Sequence, residues 1–300
     1  MQNKNIQSKQ QINYLPRETV ICDICQSSES QVVCEVPSFY SDERFTLVRC
    51  KQCSLIYVNP RQQEAAKLKN LEKVSEGAVF EHMQERDEEV FRQILNTIQP
   101  YCPMGTLMDI GCASGGLLRA ASNRGYTVAG VEINQHAVQY AVQHYNLNVQ
   151  CGTLETTQWK DESFDIVIMV NAIEHLYHPS QTVSHIQRIL KPGGFFFCMT
   201  PDFNHYATRA AQVFGLMKDA DRIDPTGHPY HFTPPTLAEL IRRQGFQIIR
   251  CGSPISGLFT QRSSAKSWKK QLVRSLATPV IYLSRTIPIG STIQCIAKRT

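Results

Sequence analysis

Residues 107–116 read LMDIGCASGG: an apolar stretch with strand character, then a turn built on Gly111, Ala113, Gly115 and Gly116. Glycine lets a backbone bend sharply and lets a ligand approach with no Cβ in the way. A helix following such a turn presents its N-terminus to that ligand. Asp109 sits at the end of the strand, and Glu132 stands 23 residues further on, at the end of the next. A carboxylate there accepts both hydroxyls of a ribose. Together the two signals point to a nucleoside cofactor. The spacing G-x-x-x-G-G departs from the G-x-G-x-x-G of dinucleotide sites, which argues against NAD or FAD.

Outward from this turn, strands and helices alternate. Segments 106–110, 127–133, 149–151, 164–170 and 195–199 read as strands. The fourth is a near-continuous apolar run, as in a strand buried on both faces. Segments 137–145 and 182–190 carry helical spacing, and Lys191-Pro192-Gly193-Gly194 stops the second. Thr233 before Pro234 and Pro235 is an N-cap followed by a first helical turn, and Gly245 ends that helix. Segments 246–251 and 292–298 supply further strands. The alternation predicts a parallel α/β sheet whose ligand lies at the carboxyl ends of its strands.

DIGCASG from Asp109, VAGVEIN from Val128, FDIVIMVNAIEHL from Phe164 and LKPGGFFF from Leu190 resemble the successive motifs of class I S-adenosylmethionine (SAM)-dependent methyltransferases. HFTPPTLAELIRRQGF from His231 resembles the segment before that family's last strands. The resemblance covers roughly residues 104–200. It implies a Rossmann-like, mostly parallel seven-stranded sheet with an antiparallel last strand at 292–298. It also implies that Asp109, Gly111, Ala113 and Gly115 shape the pocket for the methionine part of SAM. Glu132 would hold the ribose, with Ile133 beside the adenine, Thr153 and Leu154 at the adenine edge, and Asn171 facing the cofactor. One position departs: Ala113 stands where the family usually has glycine.

Cys22-x-x-Cys25 and Cys50-x-x-Cys53 form a two-knuckle pattern with 24 residues between the pairs. Zinc takes four tetrahedral thiolates, and each C-x-x-C turn offers two sulfurs from one compact loop. The alternative is two pairs of unligated thiols. VRCKQCSLIYVNPR from Val48 also resembles the zinc-ribbon lead-in of some bacterial methyltransferases acting on sugars and other small metabolites. Four protein thiolates leave no open position, so the zinc would be structural. Cys34 is a spare thiol by this count. The predicted organisation is a disordered tail over 1–19, a zinc-ribbon-like module over 20–60, a helical lead-in over 61–103 and the cofactor-binding domain over 104–300. In the lead-in, one helix is marked by Leu68, Leu71 and Val74, and a second runs through Val90, Phe91, Ile94, Leu95 and Ile98.

An oxygen acceptor usually needs a base, and histidine suits because its unperturbed pKa is about 6.5. Glu174-His175 follows the fourth strand, and His228-Pro229-Tyr230-His231 precedes the helix at Thr233. Both should border one cleft. His228 and His231 are the preferred acid/base candidates, with Tyr230 as an orienting hydroxyl and His175 as a further candidate. A packing or capping role stays open for each. Segment 201–232, with Phe203, His205, Tyr206, Phe214 and Met217, reads as a substrate lid.

The net charge of +5 is uneven: Glu239 is the last acidic residue, and eleven Lys and Arg follow it. Within that tail, an insertion over 253–290 places Trp268, Leu272, Leu276 and Leu283 near one helical face. Four readings are open: a solvated basic face, peripheral contact with a membrane surface, a grip on a phosphate-bearing substrate such as a nucleotide-linked sugar, or a cap over the site. No alternation of aromatic and basic residues suggests a nucleic-acid groove. The polar N-terminus lacks the apolar centre of a signal peptide, and eleven cysteines read as thiols and metal ligands, so a cytoplasmic setting is expected.

The expected function is therefore SAM-dependent methyl transfer to a hydroxyl, less often a carbon or nitrogen, of a small-molecule acceptor such as a sugar. The competing readings are an NAD-dependent oxidoreductase on a similar fold and a nucleic-acid or membrane adaptor.

Overall fold

A computed structural model describes residues 15–38, 41–66, 81–204, 223–252 and 292–300. The first fourteen residues, the helix expected around Leu68, the centre of the expected lid (205–222) and the basic insertion lie outside the described residues.

Four short strands open the chain: β1 (Arg17–Glu18), β2 (Ser30–Pro37), β3 (Arg44–Cys50) and β4 (Ile56–Val58), followed by β5 (Arg61–Gln62). Helix α1 (Glu81–Ile98) leads into the domain proper. There β6 (Thr106–Ile110), α2 (Gly116–Ser122), β7 (Thr127–Glu132), α3 (Gln135–Tyr145), β8 (Val149–Cys151) and β9 (Phe164–Val170) alternate. A 3₁₀ turn (Ile173–His175), α4 (Pro179–Ile189), β10 (Leu190–Pro201), β11 (Tyr230–His231), α5 (Pro234–Arg243), β12 (Phe246–Gly252) and β13 (Thr292–Arg299) complete it.

The main sheet has seven strands in the order β12-β13-β10-β9-β6-β7-β8. Strand β13 runs antiparallel to both neighbours, while the β10–β9, β9–β6, β6–β7 and β7–β8 pairs are parallel. The fold class expected from sequence is thus the observed one. The chain winds outward in both directions from β6, so the crevice beyond the carboxyl ends of β6 and β9 is the switch point where ligands bind such sheets.

Local chemistry explains the elements. Asn134 caps α3, its Oδ1 accepting from the amides of His136 and Ala137. Thr233 caps α5 through a reciprocal box with Thr236, and Pro234 opens its first turn. Two boundaries differ from expectation. Helix α4 begins at Pro179 rather than 182, because proline fits the first helical position. Strand β10 begins at Leu190, which pairs with Phe164 before the register shifts through 191–194 and resumes at Phe195. The Lys-Pro-Gly-Gly segment is thus an irregularity inside the strand, with Gly193 at φ 77°.

The N-terminal strands do not form a separate bead. Cys22, Ile24, Val48, Cys50, Leu55 and Tyr57 belong to one apolar core with Met108, Ile110, Val167 and Phe196 of the main sheet. A second core on the opposite face joins Ile94, Leu95 and Ile98 of α1 to Leu117 and Leu118 of α2. The four-stranded N-terminal sheet has the order β11-β4-β3-β2, so its edge strand β11 comes from far along the chain. Arg17 and Glu18, expected in the tail, pair with Gln62 and Arg61. Arg61 makes this ladder worthwhile: it is only 4% exposed and its guanidinium holds three partners, described below.

Candidate functional site

The glycine turn has the backbone that its composition demands. Gly111, Ala113 and Gly115 have φ of 76°, 46° and 82°. Such values suit glycine and cost an alanine about 1 kcal/mol or more. A Cβ on Gly111 would meet the Cβ of Ala172 at 3.1 Å, which sets the turn against the end of β9. The glycine at 115 also has a packing reason, since a Cβ there would come within 2.6 Å of Leu147.

Glu132 closes the turn from the next strand. Its Oε2 accepts from the Ala113 amide and its Oε1 from the Asn134 amide, each at 2.9 Å. Each carboxylate oxygen keeps a further lone pair, so two ribose hydroxyls still find acceptors. Ile133 beside it is 46% exposed, an apolar side chain open to cover by a flat ring. Asp109 lies buried beneath the turn, where burial, and then the charge of Glu132, push its carboxyl up to about 7. A cationic ligand would favour its ionised form, and SAM carries a sulfonium and an ammonium. The residues present therefore fit SAM.

The remaining expected contacts are placed less directly. Asn171 is exposed at the end of β9 in a left-handed conformation, with its amide donating to Met199 O at 2.7 Å. Thr153 is tied into a local turn, its amide donating to Thr156 Oγ1 at 2.9 Å. Leu154 is buried in the core.

The two histidine segments do meet. The His175 and His228 ring centroids are 4.5 Å apart, and those of His228 and His231 are 6.5 Å apart. A carboxylate oxygen of Glu174 and one ring nitrogen each of His175 and His228 lie within 4.8 Å of one another. His175 Nδ1 donates to Gly227 O at 2.9 Å, which places the proton on Nδ1 and leaves Nε2 as the basic nitrogen of the neutral ring. Glu174 is 3% exposed and its Oε2 accepts from Thr200 Oγ1 at 2.7 Å. Burial pushes its carboxyl up to about 7 despite that hydrogen bond. His175 is exposed and His228 half-buried, whereas His231 is only 9% exposed and packs on Phe203.

Tyr230 does not orient these histidines. Neighbouring residues of a strand point to opposite faces. On β11, His231 therefore joins the cluster while Tyr230 turns inward. The Tyr230 hydroxyl donates to Tyr177 O at 3.1 Å and accepts from Arg61 Nη1 at 3.0 Å. Arg61 Nη1 also donates to Tyr177 O, and its Nε to Glu18 Oε1. Arg61, Thr200 and the pairing of β11 with β4 were not singled out from sequence. Thr200, a hydroxyl ending an apolar strand, is the one with a readable signal.

The four cysteines converge. Cys22 and Cys53 Sγ lie 3.3 Å apart, Cys25 and Cys50 Sγ 3.4 Å, and all four sulfurs fall within 4.8 Å of one another. Two matching knuckles present them. The amide of Cys22 donates to Ser27 O and that of Gln26 to Cys22 O; Cys50, Leu55 and Ser54 repeat the pattern. Gln26 and Ser54 take corresponding left-handed conformations, with φ 59° and 67°. The contact with Cys22 pulls the Cys53 thiol down to about 5 and pushes Cys22 up. Four sulfurs so arranged fit a tetrahedral zinc.

A family model described as a methyltransferase domain matches residues 80–250. The ubiquinone biosynthesis O-methyltransferase of Coxiella burnetii is 29% identical over 121 residues, which are 37% of this chain and 52% of that protein. The chain thus spans about half the length of such curated relatives. A probable S-adenosylmethionine-dependent methyltransferase of Mycolicibacterium smegmatis is 27% identical over 209 residues, 64% of this chain and 76% of the relative. A solved chain of the Haloferax volcanii complex between the Trm112 methyltransferase activator and a putative methyltransferase superposes with a TM-score of 0.54, at 18% identity, over 77% of this chain and 95% of that one. At that identity the likeness shows the fold alone. With a family match across more than half its length, joined to the sheet order and glycine turn above, this chain belongs to the methyltransferase-domain family, on a class I methyltransferase fold.

Proposed function

We propose that the enzyme transfers the methyl group of SAM to a hydroxyl of a small metabolite or sugar, in the crevice between the glycine turn and the Glu174–His175–His228 cluster. The observation that carries this reading is the meeting of two histidines and a buried carboxylate one turn past the end of β9, beside the strand end that abuts Gly111. Relatives named as O-methyltransferases support it. The family match favours methyl transfer over the oxidoreductase reading.

In this reading Glu132 accepts the ribose hydroxyls, Ile133 covers the adenine, and the turn at Gly111, Ala113 and Gly115 approaches the methionine part. Thr153 and Leu154 border the adenine through their backbone, and Asn171 lines the near wall. Bound SAM supplies an electrophilic methyl carbon on a sulfonium. The acceptor oxygen forms its bond to that carbon as the carbon–sulfur bond breaks, and the electron pair returns to sulfur. The hydroxyl proton passes to an imidazole, with His175 Nε2 and His228 the accessible rings and His231 the supporting one. Alignment in a closed cleft provides much of the rate.

The Cys22, Cys25, Cys50 and Cys53 site would hold a structural zinc, since it offers no open position. No helix among the described residues is long and apolar enough to cross a membrane. Calorimetry with SAM and its demethylated product, followed by an acceptor screen with a hydroxyl and a deoxy member of each pair, tests the reading. Turnover only with the hydroxyl member is expected; transfer to carbon or nitrogen in the deoxy member would overturn the oxygen assignment.

A further inference from the structure

We propose that Glu174, His175 and His228 bind one divalent transition cation, of the zinc, cobalt or nickel kind, which holds and polarises the acceptor oxygen. The inference rests on the methyl-transfer reading of the same cleft and adds to it a requirement on the acceptor: an oxygen able to enter a metal's coordination sphere.

The donor set comes first. Two imidazoles and one carboxylate, drawn from two separate segments, are ligands that borderline divalent ions favour, and three protein ligands leave positions for water and substrate. Spacing comes second. The three donor atoms lie within 4.8 Å of one another. Tetrahedral bonds of about 2.1 Å put ligand atoms ~3.4 Å apart, so no pair has to close by more than about 1.4 Å. Side-chain rotation covers that distance without moving the strand ends.

The surroundings are those of a ligating set. A metal-bound histidine usually donates its other ring N–H to a carbonyl or carboxylate, which fixes the tautomer and the ring plane. His175 does so, with Nδ1 donating to Gly227 O at 2.9 Å, and Nε2 is the nitrogen that would ligate. Glu174 has its own outer partner in Thr200, which occupies Oε2 at 2.7 Å. The loop bearing His228 is braced by Asp224, whose Oδ1 accepts from the Thr226 and Gly227 amides and the Thr226 hydroxyl. The His228 amide donates to Asp224 O at 2.9 Å. Burial falls off from Glu174 through His228 to His175, so the base of the set is dry and its open side faces water. With His175 and His228 ligating, they no longer serve as the base: the cation acidifies the bound hydroxyl, whose proton passes to solvent water before the oxygen attacks the methyl carbon.

This set differs in kind from the four cysteines, and that difference makes the test clean. Protein carrying one zinc on its cysteines is titrated with Co²⁺ and followed by calorimetry and visible spectroscopy. The expected result is one further Co²⁺ per chain, with the weak bands of nitrogen and oxygen ligation and no thiolate charge-transfer band. His175→Ala and His228→Ala should each weaken that binding at least tenfold while keeping the zinc. His175→Ala removes an exposed ring, so it tests the site even where His228→Ala fails to fold. Absence of a second Co²⁺ site in the zinc-loaded protein, or equal uptake by His175→Ala, overturns the proposal. SAM binding is measured on the same samples. Intact SAM binding without Co²⁺ uptake sinks the cation alone; absent SAM binding sinks the methyl-transfer reading of the cleft.

Discussion

The backbone amide of Ala113 donates to Glu132 Oε2 at 2.9 Å, so the carboxylate placed to hold a ribose also holds the turn that faces it. The other oxygen does the same for Asn134, the cap of α3. In the proposed reading Glu132 is thus both ligand and clasp. Glu132→Ala should weaken SAM at least tenfold, since hydrogen bonds to a charged group are worth about 1.5–3 kcal/mol each. It should also lower the melting temperature of the SAM-free protein. Glu132→Gln keeps one acceptor and should fall between. Calorimetry and a melting curve read the two effects separately, and unchanged SAM affinity in Glu132→Ala would falsify the ribose role.

Ala113 sits at φ 46°, where a side chain is strained. Ala113→Gly should relieve about 1 kcal/mol and raise the melting temperature by roughly 2 °C. SAM affinity should hold or improve, because no Cβ is then present at the turn. A drop in stability would mean that the alanine packs favourably enough to outweigh its backbone.

Asp109 gives a pH dependence with a definite sign. Its carboxyl is raised to about 7 in the fold, against about 3.9 in an unfolded chain. Between those values the folded state binds the extra proton, so this group's contribution to stability falls as pH rises and levels off above 7. Asp109→Asn removes that fall. In SAM-free protein the variant should gain stability over the parent by on the order of 2 kcal/mol between pH 5.5 and pH 8. Parallel melting curves for parent and variant across that interval would show the idea to be wrong.

Arg61 couples the N-terminal strands to the histidine segment. It joins Glu18 on β1, Tyr177 just past the 3₁₀ turn and Tyr230 on β11. Removing one member of a buried charged set costs about 3 kcal/mol or more. Arg61→Met should therefore destabilise the whole chain and lower kcat, because β11 carries the segment that places His228. SAM affinity should stay near the parent value, since none of these partners touches the glycine turn. A loss of SAM binding with kcat preserved would contradict this division.

Zinc removal should not melt the N-terminal strands alone. Cys22 and Cys50 share a core with Val167 and Phe196, so chelation should lower one cooperative transition for the entire protein. Protease resistance of residues 100–200 surviving chelation, with residues 20–60 cleaved, would show instead that the ribbon melts independently.

The alternation of elements, the order of the glycine turn and its distant carboxylate, the Thr-Pro-Pro helix start and the paired C-x-x-C knuckles were legible along the chain. Each is a local pattern: strand and helix periods, caps and turns depend on residues within a few positions of one another. The meeting of His175 and His228 was half legible, because both segments follow strands whose carboxyl ends a parallel sheet gathers at one edge. The inward turn of Tyr230 was not, because the face a residue takes depends on its strand partner. That partner, Tyr57, lies 173 positions away.

By itself, then, the sequence determined the alternating α/β fold, a nucleoside site and the sulfur set, since those rest on short-range chemistry repeated in order, while the seven-stranded sheet and SAM followed from the resemblance of its motifs to a family. Only the tertiary structure decided that the N-terminal strands continue the domain's core, that Arg61 braces them against Tyr177 and Tyr230, and that Glu174, His175 and His228 come together. Those arrangements depend on long-range pairing and packing. A buried arginine or a carboxylate acquires its role from neighbours that the chain brings to it only on folding.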